Sequence, residues 1–136
     1  MEWRIFDYSK DGQISAIQEW LDDKKISKRD RGQLNQKMDL LAKHGMGLPP
    51  KLLAGPLASK TEKLREKNIY KLIIHGELML RPFLCRGPLD NKSEFTMLLG
   101  VIERNDANDH DPAEAEAIRS AIISNPALRI DHARYR

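Results

Sequence analysis

The chain has 136 residues, of which 40% are hydrophobic and 32% are charged, a composition typical of one globular domain and not of a disordered chain. The mean hydropathy is −0.58, and no apolar run reaches the roughly 18 residues that a membrane span requires, so membrane-spanning classes are excluded. The single cysteine, Cys85, excludes an internal disulfide.

The first part of the chain predicts a strand followed by a helical hairpin. Residues 2–8 contain aromatic and β-branched side chains that favour a strand. Apolar residues recur at helical spacing over residues 12–24 and again over residues 28–44, where Ser27 is placed to cap the second helix. Because so few residues separate the two helices, we expect them to pack antiparallel.

The rest of the chain predicts a long loop, three consecutive strands and a closing helix. These are the loop at 45–59, the strands at 64–75, 78–85 and 94–102, and the helix that begins at Pro112. Gly76-Glu77 favours a tight turn, and Pro82 predicts that part of the second strand is an edge, a bulge or an interruption. The order β-α-α-β-β-β-α indicates an α+β fold of two layers with a mostly antiparallel sheet. We expect residues 1–126 to form a single domain and residues 127–136 a loosely held C-terminal tail.

The excess of positive charge lies in the middle of the chain. Residues 51–104 contain 10 basic and 6 acidic residues, whereas the whole chain has a net charge of +3. Such an excess favours an anionic partner. No basic segment followed by an apolar one is visible at the N-terminus, and the one cysteine is unpaired, so we expect a cytoplasmic protein.

Three segments and the closing helix carry a resemblance to a known family. The segments are NIYKLII at 68–74, LRPF at 80–83 and LLGVIER at 98–104, and the helix follows a proline, Pro112. With the β-α-α order before them, they resemble the RelE/HigB superfamily of small bacterial toxins, in particular its phage-derived HigB-like branch. The resemblance implies a RelE-like fold.

The resemblance also implies a function. Proteins of this kind are toxin components of type II toxin-antitoxin systems that cleave mRNA on the ribosome. The expected reaction is attack of a ribose 2′-hydroxyl on the adjacent phosphate, which needs cations near the phosphate and groups that accept and donate a proton. We therefore expect no metal, no other cofactor and no membrane partner, and the expected partners are a cognate antitoxin, the ribosome and mRNA.

The candidate catalytic residues follow from matching the segments position by position. Arg81 matches an arginine of the second strand, and its guanidinium suits phosphate oxygens. Arg104 matches one of two paired lysines. Lys71 shares a sheet face with Ile73, which stands where the family has an arginine. His75 ends the first strand and is a candidate acid or base. The weaker RNA-binding candidates are Arg65 and Arg86.

Two positions leave an alternative open. Ile73 and Glu103 stand where the family has basic residues. The alternative is a catalytically degenerate protein of the RelE/ParE fold that binds a protein partner: an antitoxin, a topoisomerase subunit, or a phage or host factor. A phage structural or assembly protein unrelated to toxins is a third hypothesis. The nuclease hypothesis requires Lys71, Arg81 and Arg104 to converge on one open face of the sheet.

Overall fold

The computed structural model describes residues 2–58, 67–103 and 111–136, which form a mixed α+β protein, as predicted. The helices in these ranges are α1 (Ala16–Asp23), α2 (Lys28–His44) and α3 (Ala113–Ser124). The strands are β1 (Arg4–Tyr8), β2 (Leu53–Ala54), β3 (Ile69–Leu72), β4 (Ile74–His75), β5 (Met79–Leu80), β6 (Phe83–Arg86), β7 (Glu94–Leu99), β8 (Ile102–Glu103) and β9 (Arg129–Asp131). The two helices of the predicted hairpin and the closing helix are all present.

The larger sheet has six strands in the order β2-β3-β6-β7-β1-β9. Every neighbouring pair is antiparallel except β1 and β7, which run parallel. A parallel pair needs a long crossover connection, and the α1–α2 hairpin lies in that connection. The prediction of a mostly antiparallel sheet is therefore confirmed, and the N-terminal strand lies inside the sheet.

Each of the three predicted middle strands is interrupted and forms two shorter strands: β3 and β4, β5 and β6, and β7 and β8. One piece of each, β4, β5 and β8, belongs to a second sheet with the order β4-β5-β8. Ile73 separates β3 from β4, and its backbone N–H donates to the carbonyl oxygen of Leu52, which continues the pairing of β3 with β2. Pro82 has no N–H to donate, and of the three alternatives predicted there the structure has an interruption, between β5 and β6. At Gly100 a Cβ atom would lie 2.0 Å from the side chain of Trp20, so only glycine fits.

The helices lie on both faces of the larger sheet. Neighbouring strand residues point to opposite faces, and Leu84 and Met97 belong to the core that α1 and α2 cover, whereas Cys85 and Leu98 belong to the core that α3 covers. The prediction of two layers was wrong in this respect, since α3 adds a third. The sequence pattern of α3 does not indicate which face of the sheet this helix covers.

The C-terminal segment is part of the domain, so the prediction of a loosely held tail at 127–136 was wrong. Strand β9 pairs antiparallel with β1. Beyond it, Tyr135 is only 5% exposed and packs into the core beneath α1 and α2. The Asn35 side chain accepts from the backbone N–H of Tyr135 and donates to its carbonyl, both at 2.9 Å. Strand β9 has only three residues, and Tyr135 is a single aromatic residue beyond it. Neither gives a repeating pattern that could be recognised in the sequence.

A buried carboxylate ties this segment to β1 and α1. Asp7 is fully buried, and one of its oxygens lies 3.1 Å from both the Tyr135 hydroxyl, which donates to it, and Nδ1 of His132. The other oxygen accepts from the Ser15 hydroxyl at 2.5 Å, while Ser15 caps α1 by accepting from the Gln18 N–H. Asp7 is therefore a junction between the sheet, the first helix and the C-terminal segment.

This junction predicts an alkaline loss of stability that depends on one phenol. Burial and the neighbouring Asp7 raise the pKa of Tyr135 well above its ordinary value near 10. Above pH 10 the unfolded chain therefore releases a proton that the folded chain retains, and the free energy of unfolding falls as the pH rises. In urea unfolding between pH 8 and 11, we expect Tyr135→Phe to flatten this decline by up to about 1.4 kcal/mol per pH unit. Parallel curves for the two proteins would contradict the assignment.

Candidate functional site

Two of the predicted catalytic cations, Lys71 and Arg81, meet at one carboxylate. Glu103 accepts from Nζ of Lys71 at 2.7 Å through Oε1, and its Oε2 lies 3.6 Å from Nε of Arg81. The side chains are 12%, 5% and 3% exposed for Lys71, Arg81 and Glu103. These three residues, which we call the Glu103 cluster, form an ion cluster that is almost entirely buried.

Arg81 is fixed by the interruption between β5 and β6. Its Nη1 donates to the carbonyl oxygens of Ile74 at 2.6 Å and of Leu80 at 2.8 Å, and its backbone N–H donates to Val101. A guanidinium carries several donors in a rigid plane, so one nitrogen of Arg81 can bond two carbonyl oxygens at the ends of β4 and β5. The orientation of Arg81 therefore follows from the strand break that Pro82 imposes.

His75 lies on the same face as the Glu103 cluster. His75 is opposite Met79 in the β4–β5 pair, and Met79 is opposite Glu103 in the β5–β8 pair. Directly opposite residues point to the same face of a sheet, so His75 and Glu103 share a face and are separated by two strand spacings, about 10 Å. His75 is exposed, whereas the opposite face, at Ile74 and Leu80, packs into the core under α1 and α2.

A buried aspartate in α2 positions the hairpin that carries His75. The Asp30 carboxylate accepts from the backbone N–H groups of Glu77 and Leu78 at 3.0 and 3.1 Å. A Cβ atom on Gly76 would lie 2.3 Å from this carboxylate, so the predicted turn requires glycine there. The Ser27 hydroxyl accepts from the Asp30 N–H, which confirms the predicted cap of α2. Asp30 of α2 thus holds the turn that directly follows His75.

Arg86 lies away from the Glu103 cluster. It ends β6, about 16 Å along the strand from Arg81 at 3.3 Å per residue. Its guanidinium carbon is 5.8 Å from the centre of the Trp3 ring, and its Nε donates to the Asn91 carbonyl at 3.1 Å. Arg86 instead lines an open pocket of about 230 Å³, which we call the basic pocket. The residues that line it are Lys67, Asn68, Tyr70, Arg86, Asn91, Lys92 and Arg119.

The structure thus brings two of the six candidate residues, Lys71 and Arg81, together at Glu103, and it places a third, His75, about 10 Å away on the same face. Lys71 and Arg81 are almost entirely buried, so they do not lie on the open face that the nuclease hypothesis requires. Arg65 and Arg104 lie outside the described residues. Sequence reasoning identified Glu103 only as an anion in place of a cation, and it missed the role of that carboxylate in holding Lys71 and Arg81. The signal was present, since an acidic residue at a strand position that is otherwise apolar requires a cationic partner when buried.

Cys85 does not offer a nucleophile at neutral pH. Cys85 lies in β6 and is fully buried in the core that α3 covers, and burial raises the pKa of its thiol to about 12. A thiol reacts as the thiolate, which is then scarce. The interpretation of Cys85 as a small buried hydrophobic residue agrees with this environment.

The described residues offer neither a metal site nor a helix that could cross a membrane. In the part of the chain that the structure describes, no group of three or more histidine, cysteine or acidic side chains is placed to hold a metal ion. No helix in the described ranges has the length and apolar content that a membrane crossing requires. Comparison of the chain with models of protein families, with curated proteins and with solved structures found no match. Function is therefore inferred from the chain's own residues.

Proposed function

We propose that the chain is the toxin of a type II toxin-antitoxin system and an mRNA endoribonuclease that acts on the ribosome. The observation that carries this proposal is the meeting of Lys71 and Arg81 at Glu103, with His75 about 10 Å away on the same sheet face. The resemblance of the same strands to RelE-like and HigB-like toxins supports it. The finer RelE-like topology, the cytoplasmic location and the cognate antitoxin belong to this proposal.

The proposed chemistry assigns each of these side chains a role. The ribose 2′-hydroxyl loses its proton and attacks the adjacent phosphorus, the bond to the 5′-oxygen breaks, and that oxygen takes up a proton to leave as a hydroxyl. The products are a 2′,3′-cyclic phosphate and a new 5′-hydroxyl end. Arg81 and Lys71 stabilise the negative charge that develops on the phosphate. His75 is the general acid or base: it accepts the proton of the 2′-hydroxyl or donates one to the leaving 5′-oxygen. Glu103 positions the two cations next to each other.

The experiment compares two exposed histidines, His75 and His44. We expect induced expression of the wild-type chain to stop growth and to cut translated messages. Loss of a general acid or base costs about 10²–10⁴ in rate, so His75→Ala should slow cleavage by that order. His44→Ala, at the end of α2, is the matched control and should behave as the wild type. A wild-type chain that is harmless, or that stops growth without cutting RNA, would refute the endoribonuclease proposal.

A second candidate is the non-catalytic protein that binds an antitoxin, a topoisomerase subunit or another protein. The low exposure of Lys71 and Arg81 favours it, because their charges face a buried carboxylate and little of either side chain reaches solvent. Co-purification with the products of neighbouring genes distinguishes the two candidates. A stable complex from which the released chain cuts no RNA on ribosomes supports binding alone, whereas cleavage by the released chain supports the nuclease.

A further inference from the structure

We infer that the basic pocket is a second phosphate-binding site that holds single-stranded RNA at the end of the sheet remote from the Glu103 cluster. Four cations from separate segments line it: Lys67 before β3, Arg86 at the end of β6, Lys92 in the loop before β7, and Arg119 in α3. Among the residues that the structure describes, no acidic side chain lines it. Segments distant in the sequence thus contribute one sign of charge to one concave surface, which favours an anion.

Within the described ranges, three of the four cations of the basic pocket have no carboxylate partner. Arg119 forms an ion pair with Glu116 at 2.9 Å, but its buried Nε has no hydrogen-bond partner. Lys67, Arg86 and Lys92 form no ion pair with any residue in the described ranges. The nearby Asp90 uses its carboxylate within its own loop, where it accepts from the backbone N–H of Lys92. These guanidinium and ammonium groups are therefore available to phosphate oxygens.

The other side chains in the pocket suit a nucleotide better than a simple ion. Tyr70 offers a half-buried aromatic ring, and Asn68 and Asn91 offer amides that both donate and accept hydrogen bonds. Cations that follow a backbone together with an aromatic platform are the usual means of binding single strands. The choice of RNA as the bound strand rests on the proposed function, whose substrate is mRNA.

The test measures RNA affinity and its salt dependence with two matched double variants. The probe is a fluorescently labelled single-stranded RNA decamer, followed by anisotropy at several salt concentrations, without ribosomes. Lys67→Ser/Lys92→Ser removes two exposed cations from the pocket, and Lys28→Ser/Lys43→Ser removes two exposed cations from α2. Both doubles change the net charge equally, and thermal unfolding verifies that both remain folded.

We expect the pocket double to bind at least about tenfold more weakly and to lower the slope of log affinity against log salt by about 1.4, because each phosphate contact to a single strand contributes about 0.7. The α2 double should keep the wild-type slope. Equal losses in both doubles, or an unchanged slope in the pocket double, would overturn the inference. Competition by a duplex DNA or a phosphopeptide as strong as that by unlabelled RNA would also overturn it.

The basic pocket and the nuclease activity can fail independently of each other. If the wild-type chain is harmless in cells and cuts no message, while the pocket double loses RNA affinity as expected, the nuclease proposal fails and the basic pocket remains. If growth arrest depends on His75 but the pocket double binds RNA like the wild type, the pocket inference fails and the nuclease proposal remains.

Discussion

Replacing Glu103 by glutamine is expected to lower the free energy of unfolding by about 3 kcal/mol or more, because a buried ion pair that loses the charge of one member leaves the other charge poorly compensated. Glu103 is 3% exposed and contacts Lys71 and Arg81. The amide of glutamine keeps the shape of the side chain but not its charge. Urea unfolding at neutral pH measures the loss.

The control for this variant is Glu77→Gln, which makes the same chemical change at an exposed position of the β4–β5 turn. Its side chain is exposed, and the contact of this residue with Asp30 uses the backbone N–H, which the substitution leaves intact. We expect an effect within about 0.5 kcal/mol. A Glu103→Gln variant as stable as Glu77→Gln would show that the carboxylate does not hold Lys71 and Arg81 in solution.

The Glu103 result bears on both candidate functions. If Glu103 holds the two cations tightly, an RNA phosphate must compete with a carboxylate for them, and Arg81 keeps its bonds to the strand-end carbonyls of Ile74 and Leu80. A functional nuclease then requires the phosphate to approach the side of the cluster that His75 shares. If Glu103 holds the two cations loosely in solution, an RNA phosphate displaces the carboxylate more easily.

Local sequence signals predicted the parts of the fold that depend on short-range chemistry. The cap at Ser27, the turn at Gly76 and the interruption at Pro82 each follow from one residue type and the backbone geometry it allows. The pairing of β9 with β1 and the burial of Tyr135 depend on contacts across more than 120 residues of chain. Such contacts leave no periodic pattern, so composition suggested a tail where the structure has a strand.

The candidate site was predictable to a similar extent. Lys71, Arg81 and His75 could be assigned to neighbouring strands, and alternation along a strand put Lys71 on a definite face. The partner of a cation could not be assigned, because Glu103 lies in β8 of the smaller sheet and Lys71 in β3 of the larger one, and no local pattern indicates that the two meet. The basic pocket was missed for the same reason, since Lys67, Lys92 and Arg119 come from three segments that only the fold brings together.

Replacing Asp7 by asparagine is expected to cost about 3 kcal/mol or more of stability, since hydrogen bonds to a charged group contribute about 1.5–3 kcal/mol each. The Asp7 carboxylate accepts from the hydroxyls of Ser15 and Tyr135 and contacts His132. An asparagine retains one oxygen and turns an N–H₂ donor toward groups that are themselves donors. Chemical unfolding at neutral pH measures the effect.

The matched control, Asp39→Asn, makes the same change at an ion pair on the surface. Asp39 lies 3.2 Å from Arg134, and the two side chains are 68% and 64% exposed, so we expect a loss within about 1 kcal/mol. Both aspartates face the C-terminal segment, and only Asp7 is buried under it. An effect of equal size at the two positions would mean that the segment is held by its surface charges, and a large effect at Asp7 alone would mean that it is held by the buried junction with β1 and α1.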